Sequence, residues 1–165
     1  MIRTARPDDV AHLLRLVREL AVYEREPDAV GATEPLLHEA LFGSDPSASC
    51  LVAETEGAVV GLALWFLHSR RGSGVRACIS RISTSSPLTA AAGSAGPCSV
   101  ALAAIAADRG WGRVDWQVLD WNVDAQAFYR SLGANSLNDW TTYRIDGAAL
   151  TRLATQSSAD RSRRS

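Results

Sequence analysis

Apolar residues in the first quarter of the chain recur every three or four positions: Leu13, Leu14, Val17, Leu20 and Ala21. This spacing predicts an amphipathic helix from residue 10 to about residue 26. Pro7 and the two carboxylates after it favour a helix start, and Pro27 ends the pattern. A short strand is predicted over residues 2–4, and Thr33 is placed to cap a second, shorter helix.

Two strand-like runs follow, over residues 50–54 and 58–67, and Thr55-Glu56-Gly57 between them favours a tight hairpin. Beyond residue 100 the pattern predicts a helix over 101–108, a strand over 114–118, a helix over 124–132, a strand over 140–145 and a helical turn or two over 148–154. Gly110 and Gly133 suit helix C-termini. The Ser- and Arg-rich residues 156–165 are expected to form a disordered tail after a single domain over 1–155.

The segment 69–99 follows neither period. It contains Ser, Arg, Ala, Gly and Pro with scattered apolar residues, and it has no acidic residue. A flexible linker is one interpretation. However, a structureless loop of this length is uncommon inside a compact domain.

Composition restricts the class of protein further. The chain has 165 residues, 47% of them hydrophobic and 21% charged, and a formal net charge of −1. These values are typical of one globular domain, and the charge argues against nucleic acid or a membrane as a partner. No apolar run is long enough to span a bilayer, the N-terminus lacks a signal-peptide pattern, and three cysteines without ligand spacing fit a reducing, cytoplasmic location.

All 17 basic side chains are Arg, and the chain has no Lys. Since Lys codons are AT-rich and most Arg codons are GC-rich, a GC-rich genome is the simplest explanation.

Four sequence blocks resemble the GNAT superfamily of acetyl-CoA-dependent N-acetyltransferases, and more narrowly its diamine (spermidine/spermine-type) acetyltransferase subgroup. They are Ile2-Arg3 through the helix from Leu13 to Glu24, Leu51-Val52-Ala53-Glu54 followed by Val60-Gly61-Leu62-Ala63, Asp120-Trp121-Asn122, and Ala127-Phe128-Tyr129-Arg130-Ser131-Leu132-Gly133-Ala134. The resemblance implies an α/β fold with a mixed, mostly antiparallel twisted sheet flanked by helices. It also implies acetyl-CoA as co-substrate, no metal, a small-molecule amine as acceptor, and a homodimer.

The family's most diagnostic part would fall within residues 69–99, where its Tyr-Leu-Glu-Asp strand motif and its Arg-x-x-Gly-x-Gly loop are absent. With GC-rich codons, a shifted reading frame of this segment can encode Tyr-Leu-Glu-Asp followed by Arg-Gly-Arg-Gly-Leu-Gly. We therefore hypothesise that residues 69–99 are frameshifted, and we expect them to be irregular and the central strand and phosphate loop to be disrupted. Without Arg70, Arg71, Arg76 and Arg81 the formal charge would be −5.

The resemblance assigns the catalytic acid to Tyr129, which would protonate the departing CoA thiolate. The alternative for Tyr129 is a core aromatic packed on Phe128. Asn122 either caps the helix after it or bonds the pantetheine arm. By resemblance the first turn of that helix lines CoA, through Val123, Asp124 and Ala125, although Asp124 also suits the helix dipole.

On the substrate side, the resemblance points to Tyr23, Glu24, Asp115, Trp116, Gln117 and Trp140. Acidic and aromatic groups suit a cationic amine, although each Trp could also be a core residue and Glu24 could lie on a solvated helix face. The family's general base has no counterpart in this sequence. A second hypothesis is therefore a catalytically inactive relict or interaction domain that lacks the loop for the CoA pyrophosphate.

Overall fold

A computed structural model describes residues 1–69, 75–84, 95–139 and 141–162. Five strands are present in these ranges: β1 (Ile2–Thr4), β2 (Ser49–Thr55), β3 (Ala58–Ser69), β4 (Val75–Thr84) and β5 (Val114–Asp115). Five α-helices accompany them: α1 (Val10–Tyr23), α2 (Glu34–Phe42), α3 (Ala95–Asp108), α4 (Val123–Ser131) and α5 (Gly147–Ser162). Short 3-10 helices precede α1 (Pro7–Asp9) and α2 (Pro27–Ala29). The chain divides into two compact units, Met1–Gly133 and Ala134–Ser165, which are described separately.

The strands of the first unit form one sheet in the order β1-β2-β3-β4-β5. Neighbouring strands are antiparallel except for the last pair, in which β5 runs parallel to β4. The β2–β3 hairpin turns at Glu56 and Gly57, where φ is 51° and 79°, the positive values that a tight two-residue hairpin needs. The α/β fold with a mixed, mostly antiparallel sheet is therefore confirmed.

The expectation of an irregular segment and an incomplete sheet is wrong over residues 75–84. This stretch forms β4 and pairs with β3 from Gly61↔Thr84 to Ser69↔Val75. The sequence lacks a clear alternation here, but the long partner strand β3 offers a full row of backbone groups, and these hydrogen bonds do not depend on side-chain pattern. Residues 85–94, where the family's phosphate loop would fall, lie outside the described residues. Helix α3 begins at Ala95 rather than at residue 101.

The sheet carries a separate core on each face. Alternate residues of β2 point to opposite sides, so Cys50 and Val52 pack with α1 and α2, whereas Leu51 and Ala53 pack with α3. The predicted apolar face of α1 is confirmed by burial of Leu13, Leu14 and Ala21, together with Leu16. The Thr33 cap is confirmed as well, because Thr33 Oγ1 accepts a hydrogen bond from the Leu36 N–H at 3.4 Å.

A nearly buried ion-pair network holds the start of the chain. Arg3 donates two hydrogen bonds to the Asp9 carboxylate, at 2.7 and 2.9 Å, and its Nε donates to Glu54 Oε2 at 2.7 Å. Asp9 Oδ2 also accepts from the Arg6 N–H at 2.7 Å. The guanidinium of Arg3 lowers the pKa of Asp9, so this network joins β1, β2 and the start of α1 as charged, fully bonded groups.

The second half departs further from the sequence prediction. Strand β5 covers only Val114–Asp115 instead of residues 114–118, and the strand predicted over 140–145 is wrong for 141–145, which are not in a strand. An alternating pattern makes a strand only where another strand's edge accepts its hydrogen bonds, and no described strand does so here. Helix α5 is longer than the predicted turn or two, and it includes most of the segment expected to be disordered. Within the described residues, no helix is long and apolar enough to cross a membrane.

Candidate active site

The candidate site is built around the connection from β5 to α4. Asn122 ends this connection, and its Oδ1 accepts a hydrogen bond from the Ala125 N–H at 3.2 Å. The capping role of Asn122 that the sequence left open is therefore present. The Val123 N–H donates to the Trp121 carbonyl at 3.0 Å, so the cap and this turn already use two first-turn donors. The exposed Asp124 lies in the first turn, where a carboxylate is favoured by the helix dipole.

Gln126 ties the same connection to α4, and sequence reasoning missed it. Its Nε2 donates to the carbonyl oxygens of Asp120, at 2.8 Å, and of Leu119, at 3.3 Å. Its Oε1 accepts from Arg130 Nη2 at 2.8 Å. The Gln126–Arg130 spacing of four residues was a readable helix pair, but the bonds back to the turn were not predictable from spacing. These contacts fix the turn that carries Trp121.

Tyr129 lies half-buried on α4 in an aromatic cluster. Its ring centroid is 4.9 Å from that of Trp116 and 5.1 Å from that of Phe128. Burial raises the pKa of the Tyr129 phenol to about 12, with a smaller contribution from the Cys98 thiol of α3. The phenol is therefore protonated at neutral pH and has a proton to donate. The packing of Tyr129 on Phe128 that the sequence left open is therefore present.

Helix α3 packs against this cluster through Cys98 and Gly96. Cys98 is fully buried, and burial raises the pKa of its thiol to about 11. A Cβ atom at Gly96 would lie 3.7 Å from the edge of the Phe128 ring, so the backbone of α3 approaches that ring closely. Burial also raises the pKa of the Cys50 thiol to about 12. Both thiols are neutral and serve as packing groups rather than nucleophiles.

The substrate-side candidates on β5 and beyond are only partly available. Asp115 is half-buried and its Oδ2 accepts a hydrogen bond from Arg113 Nε at 2.9 Å, so this carboxylate already has a cationic partner. Trp116 is occupied in the contact with Tyr129, and Gln117 is exposed. Trp140 lies outside the described residues.

A second aromatic pair joins the end of α1 to the turn before α4. The ring centroids of Tyr23 and Trp121 are 5.6 Å apart, and the guanidinium carbon of Arg25 lies 5.0 Å from the Trp121 ring centroid. Glu24 is half-buried beside Tyr23. Trp121 and Arg25 were not among the predicted site residues, although Trp121 belongs to the Asp-Trp-Asn motif. The ring of Tyr23 therefore contacts the turn that precedes α4.

No group of three or more possible metal ligands occurs among the residues that the structure describes. The chemistry available in these residues is instead a protonated phenol, a capped helix start and two aromatic pairs. This combination suits acyl transfer to an amine, in which a leaving group needs a proton and a cation needs an aromatic surface.

Comparison with known proteins agrees with this class. No family model matches the chain. It is 34% identical to the thialysine N-epsilon-acetyltransferase of Bos taurus, with 93% of this chain and 96% of that protein covered, and 32% identical to the enzyme of that name from Sus scrofa, with the same coverage. An integron cassette protein from the mobile metagenome of V. cholerae superposes with a TM-score of 0.75 at 23% identity over 93% of this chain and 96% of that one. An aminoglycoside N-acetyltransferase in complex with CoA gives 0.64 at 17% identity over 89% and 100%.

The mixed sheet, its parallel β4–β5 pair and the helices on both faces define the GNAT class of acyltransferase fold. Within that class, the chain belongs to the family of diamine-acetyltransferase-like N-acetyltransferases that includes the thialysine enzymes.

Proposed function

We propose that this protein transfers the acetyl group of acetyl-CoA to a primary amine of a small molecule, polyamine-like or amino-acid-like. The observation that carries the proposal is the half-buried Tyr129 on α4, which packs on Trp116, keeps its phenolic proton and lies on the same helix as the Asn122 cap. The family membership supports acetyl-CoA as co-substrate. The acceptor class is supported by the curated relatives, which are named for the amines thialysine and L-ornithine.

The reaction needs three events at one place. The neutral amine nitrogen attacks the thioester carbonyl carbon, after its ammonium form has lost a proton to solvent, and the nitrogen releases a second proton to solvent as the amide forms. The carbon–sulfur bond breaks, and the departing thiolate takes the phenolic proton of Tyr129. The resulting phenolate is reprotonated from solvent. Holding amine and thioester in line supplies the larger part of such a rate enhancement, and the proton donor supplies the rest.

Two groups of residues complete the proposal. Asn122, Val123, Asp124 and Ala125 would lie along the CoA arm; the Asp124 N–H is a first-turn donor that the cap does not use. Six residues would line the amine side of the site: Tyr23, Glu24, Asp115, Trp116, Gln117 and Trp140. We add Trp121 to them because its ring contacts Tyr23. The chemistry assigned to these residues involves no metal.

A steady-state assay with acetyl-CoA and a panel of primary amines tests this function. We expect CoA release that depends on the amine, a large loss in Tyr129→Phe, and no change in Tyr143→Phe. The control removes the same hydroxyl from a tyrosine that is 91% exposed. Wild-type activity in Tyr129→Phe would remove Tyr129 from the mechanism, and no turnover of any amine would reject the function.

A cytoplasmic homodimer is the finer part of the proposal. Cys50 and Cys98 are free, buried thiols, which fits a reducing compartment. The second unit exposes several large apolar side chains, namely Leu137, Tyr143, Ile145, Leu150 and Leu153, as a surface that pairs with a copy would. Light scattering coupled to size-exclusion chromatography should give twice the chain mass of 17.7 kDa; a monomer over the micromolar range would contradict the dimer.

The alternative function is an inactive relict or interaction domain. It is favoured by the absent phosphate-loop motif and by Ser99 of α3, whose buried Oγ has no hydrogen-bond partner among the described residues. Such an orphan is unusual in a native core. Sequencing the gene across codons 69–99 tests the frameshift, and a thermal-shift titration with acetyl-CoA tests binding, since a ligand of the folded state raises its stability. No shift at millimolar ligand would favour the relict.

A further inference from the structure

Arg25 occupies a backbone position that normally belongs to glycine. Its φ is +64°, and its N–H donates to the Val22 carbonyl at 3.1 Å while the Glu26 N–H donates to the Ala21 carbonyl at 2.8 Å. This pair of bonds is the Schellman motif that ends a helix, with Arg25 as the left-handed residue. Since L side chains rarely adopt this conformation, an arginine here points to a role for its side chain.

The Arg25 side chain lies on the aromatic pair of Tyr23 and Trp121, of which Trp121 is exposed. The Arg25 guanidinium is 5.0 Å from the Trp121 ring centroid, and Trp121 in turn contacts Tyr23. Among the described residues, Arg25 makes no ion pair with a carboxylate. A guanidinium that stacks on an aromatic ring leaves the N–H groups at its edge free to donate. A carboxylate is planar and can accept two of these hydrogen bonds at once, in bidentate geometry.

The position of this cation fits one end of the amine site. Trp121 directly precedes the Asn122 cap of α4, and Tyr129 follows seven residues later on that helix, about 10 Å along its axis. An extended diamino acid, with its carboxylate on Arg25, has a length of this order, so its side-chain amine would reach the region of Tyr129. A diamine of the same length would place a second ammonium against the guanidinium, which like charges disfavour.

We propose that Arg25 is a specificity-determining residue: it binds the carboxylate of an amino acid whose side-chain amine accepts the acetyl group. The proposal rests on the amine acetyltransferase function proposed above. It narrows the acceptor from small amines in general to amines that carry a carboxylate at the far end.

Two pairs of amines that differ only in the carboxylate test this: L-ornithine with putrescine, and L-lysine with cadaverine. The readout is the ratio of kcat/KM within each pair, for the wild type, Arg25→Gln, Arg25→Lys and the control Arg109→Gln. Arg109 also stacks on a tryptophan, at 5.5 Å from the Trp111 ring centroid, so it controls for loss of a stacked arginine. Far-UV circular dichroism checks that each variant is folded.

We expect the wild type to prefer the amino acid of each pair, and Arg25→Gln to reduce this preference about tenfold or more, the usual size of a charge-assisted contact. Arg25→Lys should keep part of the preference, and Arg109→Gln all of it. An unchanged ratio in Arg25→Gln, or a wild type that prefers the diamines, would overturn the role of Arg25 while leaving amine acetylation intact. If the wild type acetylates other amines of the panel but none of these four, this inference fails and the proposed function stands; if it acetylates no amine at all, both fail.

Discussion

The two aromatic pairs of the first unit have the same ring chemistry but different surroundings. Trp116 and Tyr129 are half-buried, and Trp116 packs against the core cluster that contains Cys98. Burial raises the pKa of the Tyr129 phenol to about 12. Trp121 is 42% exposed and supports the cation of Arg25. Burial thus keeps a proton on the first pair, whereas exposure leaves the second pair able to receive charged groups. We assign proton donation to the first and substrate recognition to the second.

The largest expected effect comes from removing the proton of the buried pair. Tyr129→Phe should lower kcat by about 100-fold or more, the usual range for a positioned acid, with little change in the KM for the amine. Pre-steady-state and steady-state rates with a saturating amine measure it. A higher KM for the amine with an unchanged kcat would instead place Tyr129 in substrate binding. The roles assigned to the two aromatic pairs would then be reversed.

Removing the ring of the exposed pair should give the opposite kinetic pattern. Trp121→Leu should raise the KM for the amine about tenfold, the range of a cation–π contact, and leave kcat within a few-fold of the wild type. Trp111→Leu is the matched control, since it removes another tryptophan that carries a stacked arginine. An equal effect of both substitutions would mean that the Trp121 change acts through stability alone.

The stability of the protein at alkaline pH should show that the folded chain holds the proton of the Tyr129 phenol more tightly than the unfolded chain does. An unfolded tyrosine titrates near pH 10, whereas burial raises the pKa of Tyr129 to about 12. Between these values the unfolded chain has lost the proton that the folded chain keeps, so the free energy of unfolding decreases as pH rises. Urea denaturation at pH 9 and at pH 11 should therefore show a smaller alkaline loss in Tyr129→Phe than in the wild type.

Tyr143→Phe, which removes the hydroxyl of a tyrosine that is 91% exposed, is the matched control. Equal alkaline losses in Tyr129→Phe and in the wild type would show that the buried pair does not hold its proton more tightly than an unfolded phenol.

The smallest effect is expected from removing the Gln126 side chain, which holds the turn that carries Trp121. Gln126→Ala removes the bonds to the Asp120 and Leu119 carbonyls, which are exposed and therefore contribute about 1 kcal/mol. Because the turn carries Trp121, we expect a few-fold increase in amine KM with kcat retained. Gln126→Glu should not rescue it, because a carboxylate cannot donate to these carbonyls; rescue by Glu would contradict this role.

Local pattern predicted the parts of the fold that depend on neighbouring residues. The spacing of Leu13 and Leu14, the cap at Thr33 and the Glu56–Gly57 turn were all readable, because each reflects backbone geometry within a few positions. Strand β4 was not, because its pairing is supplied by β3 rather than by its own alternation. Long-range partners decide such segments.

The candidate site divides in the same way. The capping by Asn122 was one of two readings that sequence left open, and the first-turn position of Asp124 was anticipated. The contact of Arg25 with Trp121 joins residues far apart in sequence, and no spacing rule reaches across that distance. The proximity of Cys98 to Tyr129 was equally out of reach, since residue 98 belongs to the segment without a period.

The central claim is that this chain acetylates an amine. Its most direct test is a mass-spectrometric assay of wild-type protein incubated with acetyl-CoA and the amine panel, in parallel with a thiol assay for released CoA. We expect an N-acetylated amine and free CoA in equal amounts, with neither formed when the amine is omitted. CoA released without acetylated amine, or no release with any amine despite bound acetyl-CoA, would contradict it.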